Sequence, residues 1–169
     1  MISLDLPTEV RTVFDEFRTC EFSTLARDGT PITWPTLPFY QPASGTFLIT
    51  TSIGLPQKVF NIRRNPRVSM LFSDATGSGL NDPPAVLVQG DAVAPDEILT
   101  SFRGFEKEAR MVMRRQPSGA IYSRNRLMRY YFDWYFMRLL ITVTPRRILW
   151  WPRADLSVKP ESFEAHHVA

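Results

Sequence analysis

The sequence predicts a small antiparallel β-barrel with helices at its ends. Three observations carry this reading. β-rich runs at 20–27, 31–40 and 46–52 follow one another with only tight turns between them. Two more runs, at 67–74 and 85–94, and an apolar closing stretch up to Trp151 continue the pattern. Helical periodicity is confined to short segments before and between these runs. Successive strands joined by tight turns pair antiparallel, and about seven of them tend to close on themselves.

The first segment, "PTEVRTVFDEF", spaces Val10, Val13, Phe14 and Phe17 at i, i+3, i+4 and i+7, the apolar stripe of an amphipathic helix, with Thr8 as its expected N-cap. "CEFSTLAR" and "PITWPTLPFY" flank Asp28-Gly29, a strong hairpin signal between β-rich runs. Pro35 and Pro38 cannot donate to a ladder, so the second strand is expected at an edge or bulged. "TFLITTS" (46–52) follows as the third strand. A short helical segment then leads to "RVSMLFSD" and "AVLVQGDAVA", which are separated by the turn-rich loop "ATGSGLNDPP". Pro95-Asp96-Glu97 is expected to open a helix lined by Ile98, Leu99, Phe102 and Phe105, and a second helix is expected over about 120–137. "LLITVTP" and "RRILWWP" read as two closing strands joined at Pro145-Arg146. The chain is expected to be one domain over 1–169, with its core at about 20–153 and a tail at 154–169 lying over the surface.

Composition narrows the function. The chain has 169 residues, 44% hydrophobic and 22% charged, which is ordinary for one globular domain. Its one cysteine, Cys20, excludes an internal disulfide framework and a cysteine-clustered metal site, and no metal is expected. With an acid-bearing start instead of a signal peptide, the expected compartment is the cytoplasm. "YYFDWYFMRLLITV" (130–143) is too short for a membrane span and carries Asp133 and Arg138. The charge is uneven: residues 103–153 hold twelve Lys/Arg against Glu106, Glu108 and Asp133, a local net of +9. That stretch suits an anionic partner or simply solvated helix faces, and with no nucleic-acid motif in it, nucleic acid is not expected. His166 and His167 are the only histidines, so a Ser-His-Asp triad or histidine metal site is not expected.

One stretch raises a specific question. "TTSIGLPQKVFNIRRNPRVSM" (50–70) sets Thr50, Thr51 and Ser52 at a strand end, breaks at Gly54-Leu55-Pro56, and then places Lys58 on a short helix. The plain reading is a solvated connector. The alternative is an anion site, since hydroxyls, unpaired N–H groups at a helix start and a lysine together make a phosphate cradle. Arg63 and Arg64 are expected to face solvent or the barrel rim, and Asn61 to cap or pack.

With this element order, the chain resembles the split β-barrel flavoproteins of the pyridoxamine 5′-phosphate oxidase-like superfamily. The resemblance runs from about Phe22 to Trp151 and rests on "STLARDGTPITWPTLPFY", "FLITTS…QKVFNIRRNPRVSMLF", "VLVQGDAV" and "RLLITVTPRRILWW". It implies a six- or seven-stranded antiparallel split β-barrel with flanking helices, and a homodimer with the cofactor in a groove between subunits. It implies FMN or the deazaflavin F420 as cofactor, the phosphate being held by Thr50, Thr51, Ser52 and Lys58. Gln57 stands where relatives often carry a basic or hydrogen-bonding residue. Pro35, Thr36 and Leu37 are where relatives lay the cofactor ring against backbone groups. Trp34 could stack on a ring or belong to the core. Trp134, Tyr135, Trp150 and Trp151 are candidates for the substrate side. The resulting expectation is a flavin- or F420-dependent oxidoreductase moving hydride to or from a small conjugated substrate. The alternative is a non-catalytic flavin- or haem-binding split barrel, with haem itself not expected from a histidine pair at the chain end.

Overall fold

The first hairpin forms where Asp28-Gly29 falls. Gly29 adopts φ +86°, a conformation open to glycine without a Cβ clash. The Asp28 carboxylate accepts from the Thr30 N–H at 3.0 Å, and Ala26 donates to the Thr30 carbonyl across the turn. Strands β1 (Cys20–Leu25) and β2 (Pro31–Thr36) then pair antiparallel, with Leu25 opposite Pro31 and Cys20 opposite Thr36.

The computed structural model describes residues 6–100 and 137–164. The elements after β2 are β3 (Pro38–Gln41), β4 (Thr46–Ser52), helix α2 (Gln57–Arg64), β5 (Arg67–Phe72), β6 (Ala85–Val93), β7 (Ile98–Leu99), β8 (Arg138–Trp151) and β9 (Glu161–Glu164); helix α1 (Thr8–Glu16) precedes them all. The main sheet path runs β2-β1-β5-β6-β8-β4-β3, seven antiparallel strands, with β7 and β9 paired to β8 outside it.

The expected second strand is thus two strands, and they are the two edges of the sheet. They are joined only by Leu37. Two Cα steps bridge at most about 7.6 Å, whereas the edges of a flat seven-stranded sheet would lie roughly 29 Å apart. The sheet therefore has to curl until its edges meet, which makes it a split barrel. Pro35 and Pro38 sit on those edges, where a missing N–H costs least.

Helices stop the two mouths. α1 begins at Thr8 itself, with Pro7 in the capping position and no side-chain cap. Its buried Val10, Val13 and Phe14 join Leu6 and Phe17 in the core, so the core starts earlier than residue 20. The Phe14 ring meets Phe47 edge-on at 4.8 Å and lies 5.1 Å from Phe72 and 5.3 Å from Tyr40. At the other mouth α2 buries Val59 and Ile62. A smaller cluster of Leu37, Phe39 and Leu48, with Leu140 against it, forms separately.

Three expectations change here. The closing pair is one 14-residue strand, β8, which pairs with β4 along its first half and β6 along most of its length. Pro145 does not end it, because it lies opposite Gly90 at a register shift that tolerates the missing donor. Ile98 and Leu99 do not enter a helix; they pair with Leu139 and Arg138, beyond the point where β6 ends. Arg63 holds the intervening connection, donating from Nε to the Ala94 carbonyl at 2.9 Å and from its terminal nitrogens to the Pro95 carbonyl and the Asp96 carboxylate, each at 2.7 Å. It is a partly exposed tie between elements. The tail also contributes structure: β9 pairs with β8 and packs Phe163 against the core. The second expected helix and most of the +9 stretch lie outside the described residues.

Candidate functional site

β4 delivers its hydroxyls to two faces, because successive strand side chains alternate. Thr51 shares the face of the core residues Phe47 and Ile49; Thr50 and Ser52 take the other. The Thr51 hydroxyl donates to the Leu55 carbonyl at 3.0 Å, and Ser52 Oγ accepts from the Gly54 N–H at 3.2 Å. These bonds, with the Leu55 N–H donating to the Ser52 carbonyl, build the tight turn that reverses the chain into α2. Two hydroxyls expected to grip a ligand thus build the turn that leads into α2.

α2 starts after Pro56 without a side-chain cap, so its first-turn N–H groups have no capping side chain to satisfy them. The helix is fixed in rotation by Asn61, which is fully buried. Asn61 Nδ2 donates to Thr24 Oγ1 on β1 at 2.9 Å, while its Oδ1 accepts from Gln57 Nε2 and from Arg64. Gln57 and Arg64 are accordingly held along the helix. Asn61 is the packing residue it was expected to be, and more: it is the polar bolt between α2 and the barrel.

This rotation turns Lys58 inward. Lys58 is only 8% exposed, an unusual burial for a lysine. Its Nζ lies 4.8 Å from the centroid of the Trp34 ring. Trp34 stands opposite the buried Phe22, and so shares the inner face, but on an edge strand that leaves it partly open. Among the described residues no carboxylate pairs with Lys58. Desolvation lowers its pKa below the ordinary lysine value. The arrangement is a largely buried lysine, without a carboxylate partner among the described residues, beside a helix start, which suits an anion.

The other candidates are placed as follows. Thr36 is buried at the end of β2, with its hydroxyl donating to the Trp34 carbonyl at 3.2 Å. Pro35 is exposed and Leu37 belongs to the smaller apolar cluster. Trp150 is a core residue opposite Val86, and Trp151 follows it opposite Ala85. Ser52 pairs with Arg138, so Trp150 lies twelve residues along β8 from it, roughly 40 Å of strand. Measured along β8, Trp150 and Trp151 thus lie well away from the residue that pairs with Ser52. Trp134 and Tyr135 lie outside the described residues. Cys20 is fully buried, and burial pushes its thiol pKa far up, which leaves it an inert packing residue. Among the described residues no cluster of metal-ligating side chains occurs, and no helix is long and apolar enough to cross a membrane.

Sequence reasoning missed the pairing of Lys58 with Trp34. The inward side of Trp34 was readable from the hairpin register opposite Phe22. The approach of Lys58 was not, because it depends on the rotation that Asn61 and Thr24 impose across 37 residues of chain.

Comparison with known proteins agrees with this architecture. No curated protein matches the sequence. Among solved structures, general stress protein 26 from Bacillus anthracis str. Sterne superposes with a TM-score of 0.57 at 18% identity, covering 93% of this chain and 96% of that one. A heme binding protein from Mycobacterium smegmatis gives 0.57 at 15% identity, covering 94% of this chain and 59% of its own. An F420 reductase gives 0.51 at 20% identity, covering 85% and 98%. At such identities these likenesses concern the fold. The model of the pyridoxamine 5'-phosphate oxidase family matches residues 6–151, from the core residue Leu6 just before α1 to the last residue of β8. The chain belongs to the pyridoxamine 5'-phosphate oxidase family.

Proposed function

We propose that this protein is a flavin- or F420-dependent oxidoreductase acting on a small conjugated substrate, with the cofactor phosphate at Lys58. The observation that carries the reading is Lys58, a lysine only 8% exposed with no carboxylate partner among the described residues, set beside the start of α2. Burial disfavours the charged form of Lys58, and an arriving phosphate would favour it. First-turn N–H groups of α2 add neutral donors to the charge; those of Ile53, Gly54 and Leu55 in the 52–56 turn are already bonded. Thr51 and Ser52 act through the shape of that turn, and Thr50 flanks it. Gln57 is engaged with Asn61, so it supports the helix in preference to reaching for the ligand. Pro35, Thr36 and Leu37 offer the edge backbone on which the ring would lie. The bound ring would supply the hydride chemistry; the chain supplies grip, orientation and exclusion of water. A non-catalytic flavin or haem binder is the competing reading, and it separates from this one by the absence of turnover with bound flavin.

The main test is flavin titration followed by fluorescence. Lys58→Ala should weaken FMN or F420 binding by about one to two decades, since a charged hydrogen bond is worth roughly 1.5–3 kcal/mol and a decade is about 1.4 kcal/mol. The exposed Lys159→Ala is the control and should bind as wild type. Unchanged affinity in Lys58→Ala would return the segment to a plain connector. The lowered pKa adds a sign: binding needs the protonated lysine, so affinity should begin to fall at a lower pH than the ordinary lysine value near 10.5 would allow.

The same reading puts the cofactor groove between two subunits related by a twofold axis. Any part played by Trp150 or Trp151 at the Lys58 site could then come from the second subunit. Sedimentation with FMN present should report a dimer at micromolar concentration, and a monomer under those conditions would remove this part of the proposal.

A further inference from the structure

Among the described residues, what lies under the Lys58 ammonium is an indole and not an acid. The ring attracts the cation through its quadrupole, but it offers no lone pair to the three N–H donors. A carboxylate in that position would take those donors and cancel the charge, and an arriving anion would have to break an ion pair. An aromatic support holds the ammonium and leaves both its charge and its donors available.

Both halves of the contact are independently mounted. Trp34 is set by its register opposite Phe22, and the neighbouring Thr33 hydroxyl is bonded to Ser23 at 2.7 Å on the other face. Lys58 is set by α2, which Asn61 fastens to Thr24 and Arg63 fastens to Ala94 and Pro95.

We propose that Trp34 is a positioning residue: its ring aims the Lys58 ammonium and so sets the site's preference for phosphorylated over unphosphorylated ligands. This rests on the phosphate reading of Lys58 given above. A ring that stacks on the ligand's own ring acts on both kinds of ligand alike; a ring that positions the lysine acts only where there is an anion to meet. A ring that only fills space leaves the preference between the two untouched.

The experiment titrates FMN and riboflavin into wild type, Trp34→Phe, Trp34→Leu and Lys58→Ala. Trp34→Leu should weaken FMN by about threefold to tenfold and leave riboflavin within about twofold, while Trp34→Phe keeps most of the FMN affinity. Equal loss for FMN and riboflavin in Trp34→Leu overturns the proposal, as does wild-type FMN affinity in Trp34→Leu alongside a weakened Lys58→Ala. In both cases the phosphate reading survives. Unchanged FMN binding in Lys58→Ala overturns the two together. F420 and its phosphate-free core serve as the ligand pair if FMN does not bind. A readout independent of ligand and of variant folding comes from the wild-type protein. Its only lysines are Lys58, Lys107 and Lys159. With isotope-labelled lysine, the ε-methylene signal of Lys58 should lie upfield of the other two because of the indole ring current. Coincidence of all three signals overturns the proposal.

Discussion

Phe14→Ala should lower folding stability by about 3–5 kcal/mol, the usual cost of emptying a fully buried aromatic site. Phe14 is 2% exposed and is the residue through which α1 meets three strands at once, by way of Tyr40 on β3, Phe47 on β4 and Phe72 on β5. None of those strands neighbours all the others in the sheet, so the cavity cannot be closed by moving one element. Urea denaturation should show the midpoint falling with little change in slope. A loss under about 1 kcal/mol would show that α1 is an accessory to the barrel and not its stopper.

Gly90→Ala should cost about 3 kcal/mol, at the upper end of what overpacking does. A Cβ at this position would stand 2.3 Å from the Thr144 carbonyl oxygen and 3.1 Å from the Pro145 Cα. Both are backbone atoms of β8, which cannot rotate away as a side chain would. Relief requires β6 and β8 to part at the register shift, where Gly90 lies opposite Pro145. For a chain of this size about 3 kcal/mol corresponds to a Tm lower by roughly 6–12 °C. A thermal scan within about 2 °C of wild type would show that the two strands have slack there.

Local rules made much of the fold legible. Asp28-Gly29 announced its hairpin, and Pro35 and Pro38 announced an edge, because turn chemistry and a missing donor act over a few residues. The α1 stripe was equally plain, since Val10, Val13 and Phe14 face one way at helical spacing. Ile98 and Leu99 were misread for a related reason: acids after a proline look like a helix start, and the competing claim of the Leu139–Arg138 edge lies about forty residues away in sequence. Pro145 was misread because its tolerance depends on Gly90, a neighbour in space alone. At the candidate site, the residue types in 50–58 pointed to an anion, but their division of labour did not show. Whether Thr51 holds a ligand or a turn depends on where the Leu55 carbonyl comes to rest.

The length of β8 has a consequence for the chain while it is still being made. β4 lies against β8 through pairs such as Phe47 with Val143 and Thr51 with Leu139, so its partner is synthesised roughly ninety residues later. At about 5–20 residues per second the ribosome needs about 5–18 s to supply it. Throughout that interval "TFLITTS" has β3 on one side and an open apolar edge on the other, the kind of surface that pairs with other nascent chains. β6 waits in the same way for Val86 to meet Trp150. Closure of the barrel is therefore a late event in synthesis.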